Sequence, residues 1–374
     1  MGVEFGPLGA TRDYEATPLG TADVFGNGPY DLILTDKKVL PFKRFMLDGI
    51  PVYSPVQDFA VPSGAASLLT DAEGGLWAIY PQSNTLRAAR YNPAGRTFES
   101  SAKAEVSLPD GARSFAAVLS PRGRLMAYFS VSDGQPYYPT DVHSHSPEFQ
   151  PFNGAGIWRG GTPFNALGSA MFADGTSLGR GLVKFPVFTG GRDFQFSNPG
   201  ITIVNLGPGR ERDVIASDKH GTFHYYHNRA EDAINLEPGV FVSDARGNGL
   251  RHPGINPKPV AIPNPETGFS DLIVGDSGIT WFYCFTGGFN QLGGPIYDPP
   301  KRVMVEQPKM VLSALPVITS GDVDGDGLTD MVAGNDVGDT YFIRNIGTKM
   351  HRRLISPSRS KPGVRYSRSM PGTG

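Results

Sequence analysis

The densest cluster of candidate metal ligands is the run Asp322-Val323-Asp324-Gly325-Asp326-Gly327-Leu328-Thr329-Asp330, with carboxylates at its first, third, fifth and ninth positions. Carboxylates crowded into one short turn repel each other unless a cation lies between them. Calcium is a hard cation that takes about six to eight oxygens, so this donor set predicts Ca2+ as a structural cofactor. Asp322, Asp324, Asp326 and Asp330 would bind through their side chains and Leu328 through its backbone carbonyl. Gly325 and Gly327 allow the positive φ values of a tight loop. An EF-hand would need a glutamate at the twelfth loop position and flanking helices. That position is Ala333, inside the strand-like run Met331-Val332-Ala333-Gly334.

Two further groups could act on a substrate. His143 and His145 lie in residues 137–164 with Tyr138, Glu148, Trp158 and Arg159. This stretch reads as an inserted loop on a rigid scaffold. Aromatic rings can stack on pyranose faces, and an arginine can pair with a uronate carboxylate. The second group is Lys219, His220, Tyr225 and Tyr226, within Asp218–Asn228. Strand alternation puts His220 in a turn, His224 and Tyr226 on one face, and Tyr225 and His227 on the other. His143, His145, His220, Tyr226 and Arg159 are the candidate catalytic residues, and Tyr138, Trp158, Tyr225 and Lys219 the candidate substrate contacts. Together they suit β-elimination on an acidic glycan. Arginine would neutralise the carboxylate, His or Tyr would take the C5 proton, and the C4–O bond would break as the C4–C5 double bond forms. The His-x-His pair also suits zinc, although no third ligand can be assigned. A non-catalytic lectin or adhesion module is the rival expectation.

The elements that must carry these residues repeat along the chain. Residues 321–347 read as an acidic Gly-rich loop, an apolar strand, a turn and a second strand. The phrase recurs at 268–288, 209–228 and, in its first half, 23–34. Its aspartates are Asp330, Asp271, Asp213 and Asp31, the first three spaced 59 and 58 residues apart. Weaker copies at 74–93, 123–138 and 180–196 bring the candidate units to seven. Gly (48) and Pro (33) interrupt nearly every stretch long enough for a helix, and 23 Phe and 14 Tyr favour pleated surfaces. The expected fold is all-β: a β-propeller of four-stranded antiparallel sheets, with seven blades. A β-sandwich would leave the repeated phrase unexplained.

The repeated phrase resembles the FG-GAP/VCBS repeats of integrin-α-like propellers, propeller lectins and secreted bacterial carbohydrate-active proteins. The match covers 19–36 and about 205–350 well, and 60–200 in outline. The resemblance implies that the calcium loops share one face and support blade geometry. The loops at 23–31 and 205–213 and the stretch before Asp271 have lost most of their carboxylates, so calcium is expected at 322–330 and weakly, if at all, at 23–31. One domain is expected over 1–360, with the N-terminal residues helping to close the ring and a disordered basic tail at 361–374.

Balanced charge, 34 basic against 36 acidic residues, excludes bulk electrostatic binding of nucleic acid. No apolar run is long enough for a membrane span. The single cysteine, Cys284, reads as a core residue. The opening residues lack an apolar signal core. A secreted or periplasmic protein that binds a polysaccharide or glycan is expected, with its export signal absent from this sequence.

Overall fold

The computed structural model describes residues 8–10, 17–35, 37–71, 73–82, 85–100, 106–107, 112–123, 125–137, 162–172, 184–188, 195–196, 199–218, 221–254, 256–275, 280–306, 317–334, 340–348 and 358–359. Every regular element among them is a strand. The expected tail at 361–374 lies outside the described residues.

Five antiparallel sheets form the body, each ordered by sequence from its first strand outward. Blade 1 contains Pro18–Ala22, Asp31–Leu34, Lys38–Leu40 and Gln57–Asp58. Blade 2 contains Ser67–Thr70, Leu76–Gln82, Thr85–Asn92 and Thr97–Ser100. Blade 3 contains Ala112–Leu119, Leu125–Tyr137, Thr162–Phe172 and Lys184–Phe188. Blade 4 contains Ile201–Val204, Asp213–Ser217, Phe223–Tyr226 and Val240–Phe241. Blade 5 contains Lys258–Pro263, Ser270–Gly275, Trp281–Tyr283 and Lys301–Arg302.

The first strands pack in succession from blade 1 to blade 5 and back to blade 1, so the ring is closed. They line a central channel of about 270 Å³. Because they are not paired by ladders, side-chain hydroxyls join them instead. Thr21 Oγ1 donates to the Ala261 carbonyl (3.4 Å), Ala261 N donates to Thr202 Oγ1 (3.1 Å), and Ala117 N donates to Ser67 Oγ (3.1 Å).

Each sheet has a neighbour on both sides, which explains the composition of the second strands. Asp31–Leu34, Asp213–Ser217 and Ser270–Gly275 are buried at every position and read as continuous apolar runs rather than alternating ones. Successive side chains enter different interfaces. Ile215 and Tyr225 pack between blades 4 and 5, while Val214, Ala216 and Tyr226 pack between blades 3 and 4. Five core clusters fill the five interfaces.

Among the described residues the ring has five sheets, which corrects the expected seven blades. The units at 123–138 and 180–196 belong to one sheet, because the two middle strands of blade 3 run to 13 and 11 residues. The unit at 321–347 forms a sixth sheet, Val317–Gly321, Asp330–Gly334, Thr340–Ile343 and Ser358–Arg359, beside the ring. Its first strand is exposed and does not line the channel. It has a small core of its own, Ala333, Tyr341 and Ile343.

Hairpins inserted before the outer strands enlarge blade 1 (Phe42–Phe45 with Pro51–Tyr53) and blade 5 (Phe285–Phe289 with Pro295–Tyr297). Met304–Glu306 pairs with Pro51–Tyr53 on one side and with Leu8–Ala10 on the other. The N-terminal residues therefore help clasp blades 1 and 5 together, as expected, through this extra sheet rather than through a blade shared by both ends.

Candidate functional site

The repeated aspartates occupy equivalent places. Asp31, Asp213, Asp271 and Asp330 each lie at or beside the start of a second strand, opposite Ala22, Val204, Ile262 and Gly321 of the first. All four are buried. One oxygen of each accepts a backbone N–H from just beyond the third strand, from Phe42, Asn228, Phe285 and Asn345 respectively, at 2.8 Å in every case. The other oxygen holds the preceding loop in three of the four, through Val24 N (2.8 Å), Asn264 Nδ2 (2.9 Å) or Val323 N (3.1 Å). The repeated residue is thus a latch between neighbouring loops, on one face of the ring in blades 1, 4 and 5 and at the equivalent place in the sixth sheet. Blades 2 and 3 have short turns there, and buried Leu76 and Leu125 take the aspartate's place.

In the sixth sheet the loop adds a candidate metal centre. Carboxylate oxygens of Asp322, Asp324 and Asp330 lie within 4.8 Å of one another. Gly325 and Gly327, both at φ 81°, let the turn close, and their amides donate to Asp322 at 2.8 and 2.9 Å. Three hard oxygen donors at this spacing fit calcium. Asp326 does not join them. It accepts Leu328 N (2.9 Å) and faces Arg344 Nη2 at 3.2 Å. Arg344 Nε also reaches Asp324 at 2.5 Å, and that carboxylate raises the arginine pKa. The loop at 23–31 keeps the same shape, with Gly26 and Gly28 at positive φ, but Phe25 replaces the second carboxylate.

His143, His145, Tyr138, Trp158, Arg159, Lys219 and His220 lie outside the described residues. Tyr226 is fully buried between blades 3 and 4, so its hydroxyl is closed to a polymer, contrary to its expected catalytic role. Tyr225 is buried between blades 4 and 5, and its hydroxyl donates to Asp213 and accepts from Arg210. Burial, with Asp213 beside it, pushes the Tyr225 pKa up. His227 Nδ1 also contacts Asp213, at 3.0 Å. These side chains complete a latch rather than present a base. The alternation read from the sequence is correct, but both faces of the strand are interior. Cys284 is half-buried, and burial lifts its thiol to about 11.

Clefts open on the latch face between neighbouring blades. The cleft of about 470 Å³ between blades 3 and 4 balances Arg212 and Arg229 against Glu211 and Glu231. The cleft between blades 1 and 2 encloses about 520 Å³ and is lined by Asp23, Glu73, Arg90, Tyr91, Asn92 and Glu99, among others. The Tyr91 ring is braced by Phe59 and Phe98, with centroids 5.3 and 5.2 Å away. Asn92 Nδ2 donates to Glu99 at 2.6 Å. Arg90 lies over Trp77 and 3.9 and 3.7 Å from Asp71 and Glu73. Sequence reasoning missed this site, since residues 74–93 read only as strand, turn and strand. The available signal was the polar and aromatic run Arg90-Tyr91-Asn92 at a strand end.

No protein-family model matches the chain, and no curated protein matches it. Similar solved structures include a protein from Lactobacillus plantarum, at 10% identity and TM-score 0.33, covering 92% of this chain and 82% of that one. The periplasmic gluconolactonase of Pseudomonas aeruginosa aligns at 12% identity and TM-score 0.30, covering 92% and 97%. A family AA12 carbohydrate-active enzyme of Trichoderma reesei aligns at 10% identity and TM-score 0.34, covering 91% and 96%. Likeness at this level carries no statement about ligand or reaction. The chain is an all-β propeller of antiparallel sheets.

Proposed function

We propose that this protein is an exported, carbohydrate-binding propeller that holds sugar units in the clefts between blades. The observation that carries the reading is the cleft between blades 1 and 2. It combines a braced, partly exposed aromatic ring, Tyr91, with a rim of hydrogen-bonding groups at Asp23, Glu73, Asn92 and Glu99. A sugar ring offers an apolar C–H face and a hydroxyl edge, and this wall meets both. Retention on immobilised oligosaccharides tests the proposal. The protein should bind at least one class, and Tyr91→Ala should weaken that binding. No retention on any class would sink it.

The finer proposal, β-elimination on an acidic glycan, rests on His143, His145 and Arg159. Burial of Tyr225 and Tyr226 favours binding over elimination as the role of the described residues. Ultraviolet absorbance of an unsaturated product, released from a uronate polymer, would establish the lyase activity, and no such product from any uronate polymer would remove it. The carboxylates of Asp322, Asp324 and Asp330 are proposed to hold Ca2+, which would fix the loop of the sixth sheet. That proposal keeps the FG-GAP/VCBS resemblance as its family-level reading.

A further inference from the structure

We propose that the cleft between blades 1 and 2 takes a sugar unit bearing hydrogen-bond donors and no carboxylate, and prefers an amino sugar. The inference rests on the carbohydrate reading above and assigns that site its ligand class.

The argument is one of charge. Three carboxylates, Asp23, Glu73 and Glu99, line the cleft against one cation, Arg90. That cation is already engaged. Its guanidinium lies over the Trp77 ring with the centroid 5.7 Å away, and between Asp71 and Glu73. Asp71 is held as an anion. Burial works against its charge, but hydrogen bonds from Trp77, Gly75 and Glu73, with the charge of Arg90, lower its pKa overall. Arg90 is therefore spent on the protein's own acids, and the cleft presents surplus negative charge.

The donor and acceptor inventory agrees. Ionised carboxylates only accept hydrogen bonds. Asn92 gives a donor to Glu99 and its oxygen to the amides of Ala94 and Gly95. The rim is thus rich in acceptors, complementary to hydroxyls and most of all to an ammonium group. A uronate would bring a fourth carboxylate into the cleft, where each like-charge contact costs about 1 kcal/mol in a solvated setting. The cleft between blades 3 and 4 lacks this bias, with two arginines against two glutamates.

The test compares three oligosaccharides of equal length, built from glucosamine, glucose and glucuronate, by calorimetry at low salt. Glucosamine should bind tightest and glucuronate weakest, about tenfold or more apart, with added salt narrowing the spread. Glu73→Gln combined with Glu99→Gln should bring the three within about threefold of one another. Both side chains are exposed, so circular dichroism should be unchanged. Glucuronate binding as tightly as glucosamine, or a spread that survives the double substitution, would overturn the inference. If none of the three binds while another glycan does, the cleft is not a sugar subsite. If no glycan of any class binds, the carbohydrate reading itself fails.

Discussion

Asp213 shows how a side chain that marks a repeat in the sequence is a structural latch in the fold. It accepts from Asn228 N and Tyr225, and contacts His227. Removing it strands buried donors, so Asp213→Ala should cost about 2–3 kcal/mol in denaturant unfolding. The latches also give a pH signature. Burial outweighs the hydrogen bonds from Phe285, Asn264 and Cys284 and holds Asp271 above its ordinary 3.8. A carboxyl raised in the folded state contributes stability that is full below the unfolded value and lost as pH rises through the folded one. Wild type should therefore gain stability relative to Asp271→Asn as pH falls from neutral towards 4, measured by unfolding with chelator present. Arg344 belongs to the same scale. It sits on Asp324 and Asp326 as an internal cation that the proposed calcium would have to displace. Arg344→Gln should tighten calcium binding about three- to tenfold in a calorimetric titration.

At the scale of elements, the sixth sheet is the part that calcium would govern. It stands beside the ring, and its loop carries the three clustered carboxylates. Chelator should speed proteolysis within 317–359 and leave the main thermal transition of the ring in place. Asp324→Ala should reproduce that cleavage without chelator. Which elements could be read in advance follows from the latch. Asp31, Asp213, Asp271 and Asp330 were legible because a buried carboxylate is dictated by loop geometry and so recurs at a fixed place. Blades 2 and 3 were legible only in outline, because short turns need no latch and Leu76 and Leu125 leave no signature. The cleft between blades 1 and 2 was not legible. Asp23 and Glu99 come from different sheets, and their proximity is a property of ring closure rather than of local pattern.

At the scale of the molecule, blade count depends on which sheets share interfaces, and spacing along the chain cannot report that. A period near 50–60 residues suggested seven units; five core clusters and five successive first strands give five. Closure comes from Pro18–Ala22 meeting Lys258–Pro263, reinforced by the clasp of Leu8–Ala10, Met304–Glu306 and Pro51–Tyr53. Among the described residues, that closure uses none beyond 306. The most direct measurement is thermal unfolding of the chain ended after Pro316. One cooperative transition, within a few degrees of the full-length ring transition, is the predicted result. A broad, non-cooperative melt with exposed apolar surface would mean that the sixth sheet is needed to close the ring, and would contradict a five-bladed body.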